Sequence, residues 1–154
     1  MRVLFFDVGY TLVNEDAVWE DRCREQAQTD EAKKLGLSAA DIYHEIEIAS
    51  ISRKPQFRTL IDKYSFKEVA PYRTELETLY NEAPAVIKAL SQKYELGIIA
   101  NQLDGLKERL LPAKALGIKT VWIKQGFGAL QKPLSKSEEP DHSINNLSEL
   151  LEIF

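Results

Sequence analysis

The chain has 154 residues, 44% of them hydrophobic and 29% charged, with a formal net charge of −4. That length suits one domain or a core with a small insert, and a globule of this size buries roughly 70% of its unfolded surface. Nothing in the composition points to disorder, and the net negative charge argues against nucleic-acid binding, which rewards clustered cations.

Val3 to Phe6 is an unbroken apolar run of β-formers that stops at Asp7. Such a run reads as a strand buried on both faces, as in parallel sheets. It is too short for a signal peptide or a membrane span, so no membrane association is expected. Cys23 is the only cysteine. No intrachain disulfide can form, and a reducing, cytoplasmic setting is expected.

Residues 16–80 have helical rather than strand periodicity. Trp19, Cys23 and Ala27 recur on one helix face, and Gly36 after Leu35 suits a C-cap. Ser38 with Asp41 resembles a capping box ahead of a helix carrying Ile42, Ile46 and Ala49. Pro55 opens a further helix with Phe57, Leu60, Ile61 and Tyr64 on its inner face.

Downstream, Pro84 starts a helix running to about Lys93, and Leu96 to Ala100 forms the second buried strand. A short helix from Pro112 ends at Gly117, and Thr120 to Ile123 is the third strand. Residues 126–141 contain two Gly and two Pro and read as a long loop. Ser143-Ile144 adds a short edge strand, and Leu147 to Phe154 a final helix. The alternation is that of an α/β protein with an open, mostly parallel sheet. It divides into a Rossmann-like core at 1–14 and 81–154 and a helical cap at 15–80.

In open α/β sheets ligands bind beyond the carboxyl ends of the strands, where Asp7 stands. A carboxylate there is a good nucleophile or metal ligand; the plainer alternative is an Asp that caps a turn. The segment Asp7-Val8-Gly9-Tyr10-Thr11-Leu12 resembles the first motif of the haloacid dehalogenase (HAD) superfamily. In that motif an Asp closes the first strand, and Thr and Leu follow four and five residues later. A helical block follows it, where the family inserts its first-type cap. Ala113 to Trp122 resembles the helix and strand after the family's last acidic motif.

The resemblance implies a phosphatase in which Asp7 attacks the phosphoryl group of a small phosphorylated metabolite and becomes an aspartyl-phosphate. It implies Mg²⁺ as cofactor, ligated by the Asp7 carboxylate and the Gly9 backbone carbonyl. Tyr10, Thr11 and Asn101 are the candidate substrate-binding residues.

The chain departs from the pattern in three places. Gly9 stands where many phosphatases of the family carry an acid that protonates the leaving group, a contribution of roughly 10²–10⁴-fold. Slow turnover, a good leaving group or another proton donor should follow. Ala100 stands where the second motif has a hydroxyl that binds phosphate, with Asn101 as a partial substitute that also suits a helix N-cap. The family's lysine and its later acidic pair have no counterpart, because only Leu103 to Leu111 separates the flanking matches. Within it Asp104 is a candidate metal ligand or a first-turn helix acid. Lys132-Pro133 imitates the lysine motif but lies after the tail match and reads as loop. Either the stretch is deleted or the chain lacks residues of the natural protein. A deleted core should repack or oligomerise, because a buried unpaired strand edge is expensive. The alternative to an enzyme is a HAD-fold binding or structural protein that has lost its chemistry.

Among the remaining polar and aromatic residues, Trp19, Phe57 and Tyr72 either shape a pocket or belong to the core. Tyr10 either lines the site or packs under the cap. Arg53, Arg58 and Arg73 either bind a substrate anion or, the better reading, lie on solvated faces; the Glu138-Glu139 pair reads as solvated, and His44 and His142 as isolated.

Overall fold

The computed structural model describes residues 2–98 and 116–154. Strand β1 (Val3–Phe6) is followed by β2 (Val13–Asn14) and by four helices. These are α1 (Asp16–Gln26), α2 (Asp30–Lys34), α3 (Ala39–Ile51) and α4 (Gln56–Tyr64). Strand β3 (Thr78–Leu79) leads to α5 (Ala83–Leu90) and β4 (Glu95–Ile98). After β5 (Val121–Ile123) come β6 (His142–Ile144) and a last helical turn, α6 (Leu150–Ile153), extended at its start by a 3-10 turn at Leu147–Glu149.

Local chemistry explains most of these boundaries. Ser38 and Asp41 form the capping box reciprocally, with Asp41 N donating to Ser38 Oγ at 3.2 Å and Ser38 N donating to Asp41 Oδ2 at 2.8 Å. Thr29 caps α2, splitting the long helix suggested by the sequence, and Gly36 at φ +68° ends it. Pro55 precedes α4 and Pro84 sits in the first turn of α5.

Strands β1 and β4 pair in parallel, with Phe6 opposite Ile98. Strand β5 pairs in parallel with β6, not with β1, and β2 pairs antiparallel with β3. Asn101, Asp104 and the helix expected from Pro112 lie outside the described residues.

Two hydrophobic clusters result. In one, Phe6, Ala83, Val86, Leu90, Ile144, Leu147 and Leu150 join the strands to α5 and α6. In the other, the helices of 16–70 pack around Trp19, Cys23, Ile42, Ile46, Phe57 and Leu60. Phe127, from the segment read as a loop, belongs to this second cluster.

The expectation that β1 is buried on both faces is corrected. Phe6 is buried, but Phe5 is 54% exposed and Val3 and Ile98 are also exposed. Residue alternation places Leu4 and Phe6 toward α5 and Val3 and Phe5 away from it.

Gln26, which no sequence pattern marks, is fully buried. Its Nε2 donates to Glu68 O and its Oε1 accepts from Ala70 N, both at 2.9 Å, tying the extended chain after α4 to α1. Replacing Gln26 with Leu leaves both backbone groups unpaired, at about 1–3 kcal/mol each. Urea unfolding of Gln26→Leu should show a loss of about 2 kcal/mol or more; a loss below about 0.5 kcal/mol would contradict this role.

The Cys23 thiol is buried, and burial pushes its pKa up to about 12. Native protein at pH 8 should therefore alkylate with iodoacetamide roughly 10²-fold or more slower than denatured protein, as followed by intact mass. Equal rates would contradict this placement.

Candidate active site around Asp7

Asp7 follows β1 directly and is half-buried at the carboxyl end of the β1–β4 pair. The chain then turns tightly. Leu12 N donates to Val8 O at 2.9 Å, and Tyr10 N donates to Val13 O at 2.8 Å. Tyr10 adopts a left-handed φ of +50°, which carries strain for a bulky residue. Thr11, half-buried, donates its N–H to Val8 O at 3.2 Å.

The Tyr10 ring is packed rather than free. It meets Phe127 edge-on with centroids 5.8 Å apart, and any side chain at Gly126 would collide with it. Burial, reinforced by the Asp16 charge, raises the pKa of its hydroxyl far above the ordinary tyrosine value. Of the two readings open for Tyr10, this contact supports packing.

Gly9 has a neighbour that the sequence did not reveal. A Cβ at position 9 would overlap Glu15 Oε1 and lie 3.0 Å from Glu15 Cδ. Glu15 is the N-cap residue of α1 but makes no side-chain cap; the Asp16 N–H is accepted by Asn14 Oδ1 instead. Its carboxyl group folds back over Gly9, while Trp19 Nε1 donates to Oε2 at 3.2 Å. Burial pushes the Glu15 carboxyl above its ordinary pKa, hydrogen bonds from Trp19 and Tyr72 oppose this, and the charges of Glu77 and Asp7 add to it. The one sequence signal was its i, i+4 spacing to Trp19.

The aromatic residues offered as pocket formers are mostly core. Trp19 and Phe57 are buried, and Trp19 stacks edge-on against Tyr72 and Phe127 at 6.0 and 5.2 Å. Arg22, unmarked by the sequence, lies 3.6 Å over the Phe57 ring and donates Nε to Ala70 O at 2.9 Å, so it serves as packing.

The reading of Arg53 and Glu138 as solvated is corrected. They form an ion pair at 2.8 Å, with side chains 14% and 8% exposed. Burial follows because the 126–138 segment packs against the end of α3. Arg73 pairs with Asp21 and Glu25, and Arg58 pairs with Asp62 on the surface. His44 stands 3.4 Å from Glu47.

Two cavities are described, and Asp7 lines neither. One, of about 420 Å³, lies between α1 and α3 beside Cys23 and Tyr43; the other, of about 210 Å³, is an apolar cleft at Leu12, Leu79 and Ile87. Among the described residues no group of three or more His, Cys, Asp or Glu side chains is placed to hold a metal ion. The donors at the strand end, a carboxylate and a backbone carbonyl, are hard oxygens, which fit Mg²⁺ in kind because that ion keeps several waters.

No family model matches the chain, and comparison with curated proteins finds no match. A solved structure of a HAD phosphatase from Thermococcus onnurineus superimposes with a TM-score of 0.57 at 14% identity, covering 99% of this chain and 97% of the other. The fold is HAD-like. Asp7 follows β1, the β2–β3 pair lies before and after the helices of 16–70, and Glu15 just ahead of α1 lies against Gly9. Among the described residues, no helix is long and apolar enough to cross a membrane.

Proposed function

We propose that the chain is a Mg²⁺-dependent phosphomonoester hydrolase of the HAD type, acting on a small phosphorylated metabolite. The observation that carries this reading is Asp7 at the carboxyl end of a strand paired in parallel, on a HAD-like fold. Asp7 attacks phosphorus as the ester oxygen departs, giving an aspartyl-phosphate that water then hydrolyses. Held by the Asp7 carboxylate and the Gly9 carbonyl, Mg²⁺ would offset the charge of nucleophile and phosphate. Asp104 is a further oxygen donor in this reading, Asn101 and Thr11 help hold the phosphate, and Tyr10 supports the turn between them.

Hydrolysis of p-nitrophenyl phosphate with Mg²⁺ tests the proposal. Asp7→Asn should lower turnover by roughly 10³-fold or more, the scale at which nucleophile removal acts. Activity that survives the substitution would remove Asp7 from the role. A second reading, a HAD-fold binding protein without turnover, is favoured by the short 103–111 interval, which leaves no counterpart to the family's lysine and acidic pair. It predicts no Asp7-dependent hydrolysis from a folded chain.

A further inference from the structure

We propose that Glu15 is a catalytic residue of this site, passing a proton to the departing ester oxygen and receiving one from the incoming water. The inference rests on the phosphatase reading of Asp7. Its basis is placement. Gly9 has no side chain, and the Glu15 carboxyl occupies the space one would fill, with Oε1 nearest and Cδ 3.0 Å from the Cβ position. This puts a second carboxyl group against Gly9, the residue two positions after Asp7.

The group is held there rather than sweeping through solvent. Glu15 is anchored at the N-cap position of α1, half-buried, and fixed at Oε2 by Trp19 Nε1. Trp19 is itself locked among Phe57, Tyr72 and Phe127. A carboxyl held by a hydrogen bond at Oε2, with Oε1 against the turn after Asp7, is fixed as proton-transfer groups are. The helix N-cap is satisfied by Asn14, so Glu15 has no capping duty to explain its position.

The steps balance. The Asp7 oxygen forms a bond to phosphorus, the phosphorus–oxygen ester bond breaks, and the Glu15 proton goes to that oxygen, releasing an alcohol. Water then bonds to the phosphorus of the aspartyl-phosphate, its proton passing to the Glu15 carboxylate; the bond from the Asp7 oxygen to phosphorus breaks, restoring the Asp7 carboxylate, and inorganic phosphate leaves. The net reaction is phosphomonoester plus water to alcohol plus phosphate.

The test compares kcat/KM for p-nitrophenyl phosphate with that for an alkyl phosphate, since only the poor alkoxide leaving group needs the proton. Glu15→Gln, which keeps the acceptor for Trp19, should lower the alkyl value by roughly 10²-fold or more, and at least tenfold more than the aryl value. In Gly9→Asp/Glu15→Ala the carboxyl is moved to residue 9 and the colliding group is gone. That variant should recover alkyl hydrolysis to within about tenfold of wild type, whereas Glu15→Ala alone should not. Equal losses on both esters, or no alkyl loss, would overturn the role of Glu15 while Asp7-dependent aryl hydrolysis keeps the phosphatase reading. Absence of Asp7-dependent hydrolysis in the wild-type protein would overturn both.

Discussion

Truncating Phe127 to alanine should lower the unfolding free energy by about 3–5 kcal/mol, the range for removing a buried aromatic ring. Phe127 is only 6% exposed and packs against Trp19, Tyr43 and Tyr10 with centroids 5.2, 5.6 and 5.8 Å away. No other residue of the segment 116–154 enters the helical cluster, so the ring is its hydrophobic link from that side. The cavity left behind cannot collapse easily, because the neighbouring Gly126 is already tight against the Tyr10 ring. Thermal unfolding should shift down by roughly 6 °C or more. The same variant loosens Tyr10, whose left-handed backbone follows Asp7 closely, so the hydrolysis proposed for Asp7 should fall with stability. A stability loss below about 1 kcal/mol would show that the ring is not a structural link.

Arg53→Met should be similarly damaging, at about 3–5 kcal/mol, because it removes the guanidinium that pairs with the buried Glu138 carboxylate. Arg53 also donates to Lys132 O, and Glu138 Oε2 accepts from Leu134 N at 3.0 Å, so the pair closes the whole 132–138 segment onto the end of α3. Most of the loss is the cost of keeping a carboxylate buried after its guanidinium is gone rather than the worth of the bond. The double variant Arg53→Met/Glu138→Gln, which removes both charges and keeps the acceptor for Leu134, should therefore be clearly more stable than Arg53→Met alone. Chemical denaturation of the three proteins measures this, and a double variant no better than the single one would refute the argument.

The two predictions concern contacts that no periodicity could announce. The Ser38–Asp41 box, the prolines before α4 and within α5, and Gly36 are legible because each acts within one helical turn of itself. The apolar runs at Val3 and Leu96 are legible as strands from their own composition, and Asp7 stands out as a charge at the end of one of them. The sequence by itself therefore determined the α/β class, the helical block inserted after the first strand, and the carboxylate on which the chemistry is proposed to turn.

Only the tertiary structure decided what those elements touch. It left Phe5 and Val3 uncovered on one face, and it buried Glu138 against Arg53 in a segment that reads as loop. It tied Gln26 to Ala70 across 44 positions and Arg53 to Lys132 across 79. It also turned Glu15 back over Gly9, where the chain itself carries no side chain. Capping, turn formation and alternation are set by neighbours along the chain. Burial, ion pairing and the filling of space at a glycine depend on which distant segment arrives, and a side chain's identity does not name its partner.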